Sequence, residues 1–372
     1  MTHRVLITGG AGFIGSHLAD ELLALGHRVR VLDSLEEQVH GEQGRRPDYL
    51  SPDVELQVGD VRDPDAVATA LKGADSVVHL AARVGVGQSM YQVGDYVGVN
   101  DLGTAVLLQA LIEKPVDRLV VASSMSIYGE GLYLDEEGRP ADVGARPVEQ
   151  LKAGRWEPVA PNGGTLTPVA TPETHRPGLA SVYALNKYVQ ERLSLIIGEA
   201  YNIPTTALRF WNAYGTRQAL SNPYTGVLAI FASRLLNGKA PMIFEDGLQR
   251  RDFVHVDDVV QSCRLALTHE KAPGKVFNVG SGVSRSVQDV AAALAVAVGR
   301  PDIQPEITGR CRVGDIRHCF PDITLIRETL GFEPRVELSD GLAELSDWLS
   351  RQVAEDRVEQ ASRELACRGL SA

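Results

Sequence analysis

The chain has 372 residues, 44% of them hydrophobic and 23% charged, with a formal net charge of −11. This is ordinary globular composition, long enough for two lobes, and its acidic balance argues against nucleic acid and anionic membrane as partners. No apolar stretch reaches membrane-spanning length. A strand signal begins almost at the N-terminus, where no signal peptide is expected. The four cysteines, Cys263, Cys311, Cys319 and Cys367, show neither a C-x-x-C pair nor metal-ligand spacing with histidine. Free thiols in a reducing cytoplasm, and no metal, are the expectation.

The first strand, near residues 4–8, runs into Thr8-Gly9-Gly10-Ala11-Gly12-Phe13-Ile14-Gly15. Gly9, Gly12 and Gly15 have the spacing of a strand-to-helix turn that brings backbone against a pyrophosphate, with a helix N-terminus offering free N–H donors. The second strand, near 28–32, ends at Asp33. A carboxylate there accepts from a ribose diol and repels a 2′-phosphate, which predicts NAD rather than NADP. Further strands are predicted near 54–58, 76–80, 117–122 and 205–210, with helical patterns such as Pro64 to Leu71 and Leu102 to Ile112 between them. Alternation of this kind predicts an α/β fold, a Rossmann-type doubly wound parallel sheet, with a smaller mixed C-terminal substrate-binding lobe.

The predicted division is an NAD-binding domain over 1–210, a substrate lobe over 211–350 with segments returning to the first domain, and a tail over 351–372. Gly129 to about Gly178 breaks the rhythm. It is rich in Gly, Pro and charge and reads as a lid or a small folded insertion, with Trp156 and Glu149-Gln150-Leu151-Lys152 as anchors. Helices are predicted from Val227 to Leu236, from Val287 to Val298 behind an N-cap at Ser286, and from Leu338 to Leu349. The charged tail reads as a frayed helix with no chemistry in it.

The buried run Leu119 to Ala122 delivers Ser123 and Ser124 to the C-terminal edge of the sheet, where open parallel sheets bind ligands. Tyr183 and Lys187 stand four apart on one helix face. A phenolate favoured by a nearby ammonium and by a positive nicotinamide ring can act as a general base. Lys187 could also hold ribose hydroxyls, and Ser124 could share a hydrogen bond with the substrate hydroxyl that loses its proton.

Together with Gly59-Asp60-Val61, His79 to Ala82, Asn100, Leu208 to Asn212, Arg250 to Asp258, Phe277 to Gly280 and Gly314 to Arg317, these motifs resemble those of the extended short-chain dehydrogenase/reductase family, in its nucleotide-sugar epimerase/dehydratase branch. The resemblance spans roughly residues 3 to 350. It implies that Asp60 and Val61 hold adenine, and that Leu80, Ala81 and Ala82 line the pyrophosphate and nicotinamide ribose. Phe13, Ile14, Asn100, Ser123 and Phe210 would also lie at the cofactor. Val86, Ser124, Ser126, Asn212, Arg217, Arg251, Arg312 and Asp315 would face the nucleotide-sugar, arginine suiting a diphosphate because its fork binds two oxygens. A homodimer through helices near 95–113 and 181–200 is also implied.

Dehydratases and decarboxylases of the branch carry an acid directly after the serine. Ser124-Met125-Ser126-Ile127-Tyr128 carries none, which favours C4 epimerisation through a 4-keto sugar over loss of water. Acids of the insertion, Glu130, Asp135, Glu136, Glu137 and Glu173, remain candidates for reaching the site; a nucleotide-sugar dehydratase, decarboxylase or NAD-linked reductase is the second reading, and a non-catalytic NAD-binding protein the third. The segment Gly85 to Tyr91 is most similar to that of bacterial epimerases acting on dTDP-deoxysugars.

Overall fold

Along β1 (Arg4–Thr8), side chains alternate: Val5 and Ile7 enter one apolar cluster with Leu18 and Leu22, while Leu6 enters another with Leu107 and Leu111. Both faces of the strand are therefore covered by helices, as a parallel sheet requires. In the computed structural model, the described residues are 2–41, 44–141, 143–160, 162–220, 222, 224, 226–311, 315–352, 356 and 358–370. With β2 (Arg28–Asp33), β3 (Glu55–Val58), β4 (Ser76–His79) and β5 (Arg118–Ser124), the sheet has seven parallel strands. Their order is Val276–Val279, Thr205–Phe210, β5, β4, β1, β2, β3. The order reverses at β1, and the crevice at the carboxyl ends of β1 and β4 is the ligand edge of such a sheet.

The predicted strands are present with boundaries within two residues. Helix Gly103–Glu113 is preceded by a π-helical turn, Val97–Leu102, so this segment starts earlier than its apolar period indicates. The strand Val276–Val279 crosses back from the second half to pair with Thr205–Phe210. The smaller lobe carries a mixed sheet of Asn212–Tyr214, Arg250–His255 and Ser284–Ser286. Helices Val227–Leu236, Val287–Ala297 and Leu338–Leu349 close its core through Leu228, Phe231, Leu294, Leu342 and Leu345. Ser286 caps the second of these, its Oγ accepting from Asp289 N at 3.1 Å. All four cysteines are free thiols. No helix among the described residues is long and apolar enough to cross a membrane.

The stretch 129–178 is a folded insertion. Tyr133–Leu134 pairs antiparallel with Pro140–Ala141 and with Thr167–Pro168, a short helix spans Val148–Lys152, and Tyr133, Ala160 and Leu166 form a small core. Charges dock it to the lobe. The buried Arg317 guanidinium holds Glu157 at 2.5 Å, Asp246 at 2.6 Å and Glu245 at 3.2 Å, and Arg146 holds Glu245 at 2.7 Å. Hydrogen bonding from His318 and Arg317 pulls the Glu157 carboxyl from 4.5 down to about 2. A depressed carboxyl adds stability above its unfolded value and loses it as pH falls through the folded one. The insertion is therefore expected to undock between pH 4.5 and about 2. Fluorescence of the neighbouring Trp156 reads this, and Glu157→Gln should flatten that limb of the titration.

The tail differs from expectation. Helix Val358–Cys367 is packed, with Ala361 and Leu365 buried and Asp356 ion-paired to Lys239 at 3.0 Å and Arg234 at 3.3 Å. Val358, Ala361 and Leu365 recur on one face of an otherwise charged segment, and that face meets the protein.

Candidate active site

After β1 the chain turns at Gly9 with φ +69°, and a Cβ there would lie 2.7 Å from Ala81 N. A Cβ on Gly15 would come within 2.5 Å of Gly10 Cα. Both positions need glycine for the turn and helix α1 (Phe13–Ala24) to close up. The N-cap of α1 is Gly12, without a side-chain cap, which leaves the helix N-terminus suited to an anion. Phe13 and Ile14 pack half-buried on the core beneath. Asp33, at the end of β2, is buried and accepts from Ala11 N and Leu35 N at 2.9 Å each. Leu80 and Ala81 donate their N–H groups to Thr8 O and Thr8 Oγ1, so the 80–82 backbone lies alongside the turn. This cradle fits the pyrophosphate and adenosine ribose of NAD.

Several expected cofactor residues have their side chains engaged internally. Asp60 is bound by Arg62 Nη2 at 2.6 Å, which lowers its pKa, and Val61 is buried against Gly103. Asn100 accepts from Arg83 N at 2.7 Å and donates to Arg83 O at 3.0 Å, holding the loop after β4. Ser123 Oγ donates to Glu191 Oε2 at 2.7 Å. Its hydroxyl therefore points into the core, away from the role at the cofactor expected of it.

Ser124 ends β5, and Tyr183 enters helix Val182–Ala200, capped by Ser181. Ser124 Oγ donates to Ser126 Oγ at 3.1 Å, and Ser124 and Tyr183 line the same cavity. Burial pushes the Tyr183 phenol up to about 12, and the neighbouring Ser124 hydroxyl works in the opposite direction. Lys187 Nζ donates to Ala122 O at 2.7 Å and Gln190 Oε1 at 2.9 Å, and burial lowers its pKa to about 7. The expected acidification of Tyr183 by Lys187 is thus not present in this geometry: the amine faces the strand and a neutral amide, and burial dominates both groups.

The helix carries more of the site than the motif showed. Gln190 Nε2 donates to Thr104 Oγ1 at 2.8 Å, and His79 lies between Thr104 and Thr8, at 2.9 and 2.7 Å. This buried polar chain runs from the glycine turn to Lys187. Glu191 accepts from Arg209 Nη2 at 2.7 Å and Nε at 2.9 Å, and Arg209 Nη1 reaches Tyr128 Oη at 2.7 Å. The available signal was polar residues at i, i+3, i+4 and i+7 (Lys187, Gln190, Glu191, Ser194), a pattern that ordinarily marks a solvated face but is buried here.

A cavity of about 450 Å³ brings Val86, Ser124, Ser126, Tyr183, Phe210, Asn212, Arg251 and Asp315 together. Arg251 donates to the carbonyls of Ile316 and Arg317, and Asn212 Nδ2 to Asp252 O at 2.9 Å. Arg217 is not brought there. It pairs with Asp20 of α1 at 2.8 Å and lies over the Tyr49 ring, on the cofactor side of the molecule. Arg312 lies outside the described residues. The insertion acids do not line the cavity: Glu130 accepts from Arg317 N and His318 N, and Glu173 from Asn278 N. Among the described lining residues, Arg251 is the one cation and Asp315 the one carboxylate.

A family model described as "NAD dependent epimerase/dehydratase family" matches residues 5–149 and 159–280. The dTDP-L-rhamnose 4-epimerase of Burkholderia thailandensis is 34% identical over 94% of this chain and 96% of that protein. The UDP-N-acetyl-alpha-D-glucosaminuronate decarboxylase of Bacillus cytotoxicus is 30% identical over 96% of this chain and all of that protein. The crystal structure of the UDP-glucose 4-epimerase of Thermotoga maritima with UDP-glucose superposes with a TM-score of 0.76 at 30% identity, covering 94% of this chain and 99% of that one.

Proposed function

The chain belongs to the NAD dependent epimerase/dehydratase family, and from that premise we propose that it epimerises the C4 centre of a nucleoside-diphosphate sugar, a dTDP-deoxyhexose, through a 4-keto sugar. One observation carries the reading. Ser124 and Tyr183 face the cavity together, while the following turn Met125–Tyr128 supplies no acid and the insertion acids are engaged elsewhere. Elimination of water or carbon dioxide would need a further acid–base group beside the reacting carbon. Epimerisation needs one hydroxyl deprotonated and later reprotonated.

NAD, when bound, accepts and returns the hydride, and its positive ring favours the Tyr183 phenolate. The remaining steps belong to the chain. Tyr183 Oη takes the proton of the C4 hydroxyl, Ser124 Oγ orients that hydroxyl, and Lys187 and Asp33 are the residues that would hold the two riboses of NAD. The 4-keto sugar turns over within the cavity so that the other face of C4 would receive the hydride, and Tyr183 returns the proton to the C4 oxygen. Arg251 holds the diphosphate, with Asn212, Ser126 and Val86 positioning the sugar.

Incubation with a panel of nucleotide-sugars, followed by mass and stereochemical analysis, tests this. The expected product has unchanged mass and inverted C4. Loss of water or carbon dioxide would instead assign a dehydratase or decarboxylase, and NAD binding without turnover of any sugar would assign a binding protein.

We also propose a homodimer. Leu102, Leu185 and Ile196 are exposed on the helical segments 97–113 and 182–200, which pack side by side. Sedimentation at micromolar concentration is expected to give twice the chain mass, and Leu185→Glu with Ile196→Glu to give the monomer.

A further inference from the structure

The C-terminal helix Val358–Cys367 contributes Val358, Ala361, Ser362 and Leu365 to the cavity lining. Leu365 is 7% exposed, and its Cδ2 lies 3.3 Å from the position a Cβ on Gly87 would take. Gly87 sits in the turn Val86–Ser89, whose Ser89 Oγ accepts from Tyr183 N at 3.1 Å. Leu365 thus packs on the cavity-lining turn that holds the Tyr183 backbone.

The helix is pinned on both sides of this contact. Tyr91 and Tyr224 each donate a hydroxyl to Glu364 Oε2 at 3.0 Å, and the Arg368 guanidinium lies 4.3 Å over the Tyr91 ring. At its start, Asp356 is held by Lys239 and Arg234. The surface it presents beside Val86, Gly87 and Met90 is apolar apart from Ser362, and the one described cation of the cavity, Arg251, lies against the Ile316 and Arg317 carbonyls and is assigned above to the diphosphate.

We propose that this helix is the sugar-facing wall of the cavity, and that Leu365 is a specificity-determining residue which selects a methyl over a carboxylate at C5 of the sugar. The inference rests on the nucleotide-sugar reading above. C5 adjoins the carbon whose hydroxyl Ser124 and Tyr183 hold, so its substituent falls next to this wall. A methyl there gains dispersion contacts. A carboxylate loses its water and finds no cation among the described residues beside it.

The test compares kcat/KM for a dTDP-6-deoxyhexose and for the corresponding dTDP-hexuronic acid in the full chain, in Leu365→Ala and in Leu365→Arg. The wild-type chain is expected to favour the 6-deoxy sugar. Leu365→Ala should lower its kcat/KM about tenfold. Leu365→Arg should raise the ratio of uronate to deoxy-sugar turnover about 100-fold by supplying a cation in place of an apolar contact. A ratio unmoved in Leu365→Arg, or an equal loss on both sugars, overturns the assignment while leaving the epimerase reading standing. Hydrogen exchange gives a readout independent of turnover. Amides of 358–367 should be protected more by the dTDP-6-deoxyhexose than by dTDP alone, and equal protection overturns the wall even where no sugar in the panel is turned over. That last result, no turnover of any sugar by the wild-type chain, is the failure of the functional reading itself.

Discussion

Tyr183→Phe is expected to keep the fold and the affinity for NAD and to lower kcat by about 10³-fold, the scale of a lost general base. The phenyl ring still fills its place against Tyr96, with ring centroids 6.5 Å apart. The deleted hydroxyl lies beside Ser124, whose Oγ keeps Ser126 as a partner at 3.1 Å. Stability should therefore change little, because no buried group is left without a partner. In the wild-type chain, burial holds the phenol near 12, so turnover should rise with pH through the neutral range as phenolate becomes more populated. The measurements are NAD titration, thermal melting and kcat against pH. A variant that turns over at the wild-type rate removes Tyr183 from the chemistry. One that loses NAD as well would make the residue a cofactor support.

Arg209→Met is expected to cost about 3–5 kcal/mol, the range for breaking a buried ion pair from one side. Glu191 is 1% exposed, and Arg209 gives it two charge-assisted bonds. Without the guanidinium, Glu191 keeps only the Ser123 hydroxyl among these partners, and Tyr128 Oη loses a donor. The pair also joins the helix of Tyr183 to the strands carrying Ser124 and Phe210, so kcat should fall along with stability. The double variant Arg209→Met, Glu191→Leu removes the stranded charge and should recover part of the loss, as a double-mutant cycle in urea would show. A single variant whose urea midpoint matches the wild-type one would mean that water or another cation reaches Glu191.

Much of the cofactor half was legible because each of its requirements is local. Gly9 needs positive φ, Gly15 needs the absence of a side chain, and apolar runs such as Val5 to Ile7 carry their own strand signal. Tyr183 and Lys187 were legible from helical spacing. The burial of the Ser123 hydroxyl against Glu191 was not legible, because adjacent residues on a strand point to opposite faces and the strand pattern carries no sign of a distant partner. Arg217 lies outside the cavity for a related reason: a motif places a backbone, whereas a long side chain goes to whichever carboxylate and ring are near, here Asp20 and Tyr49. The insertion was legible as a break in period, and its small sheet was not, since two-residue strands leave no periodic trace.

By itself the sequence determined the parallel sheet, the glycine cradle and the placement of Tyr183 and Lys187 on one helix, because strand and helix periods and backbone sterics act over a few residues. Only the tertiary structure decided which polar residues are buried as partners and what closes the cavity. Gln190 and Glu191 stand at a helical spacing that ordinarily marks a solvated face until distant segments surround them, and the helix Val358–Cys367 reads as a frayed tail until Leu365 meets Gly87. Desolvation and ion pairing depend on neighbours far along the chain, and a local pattern carries no information about them.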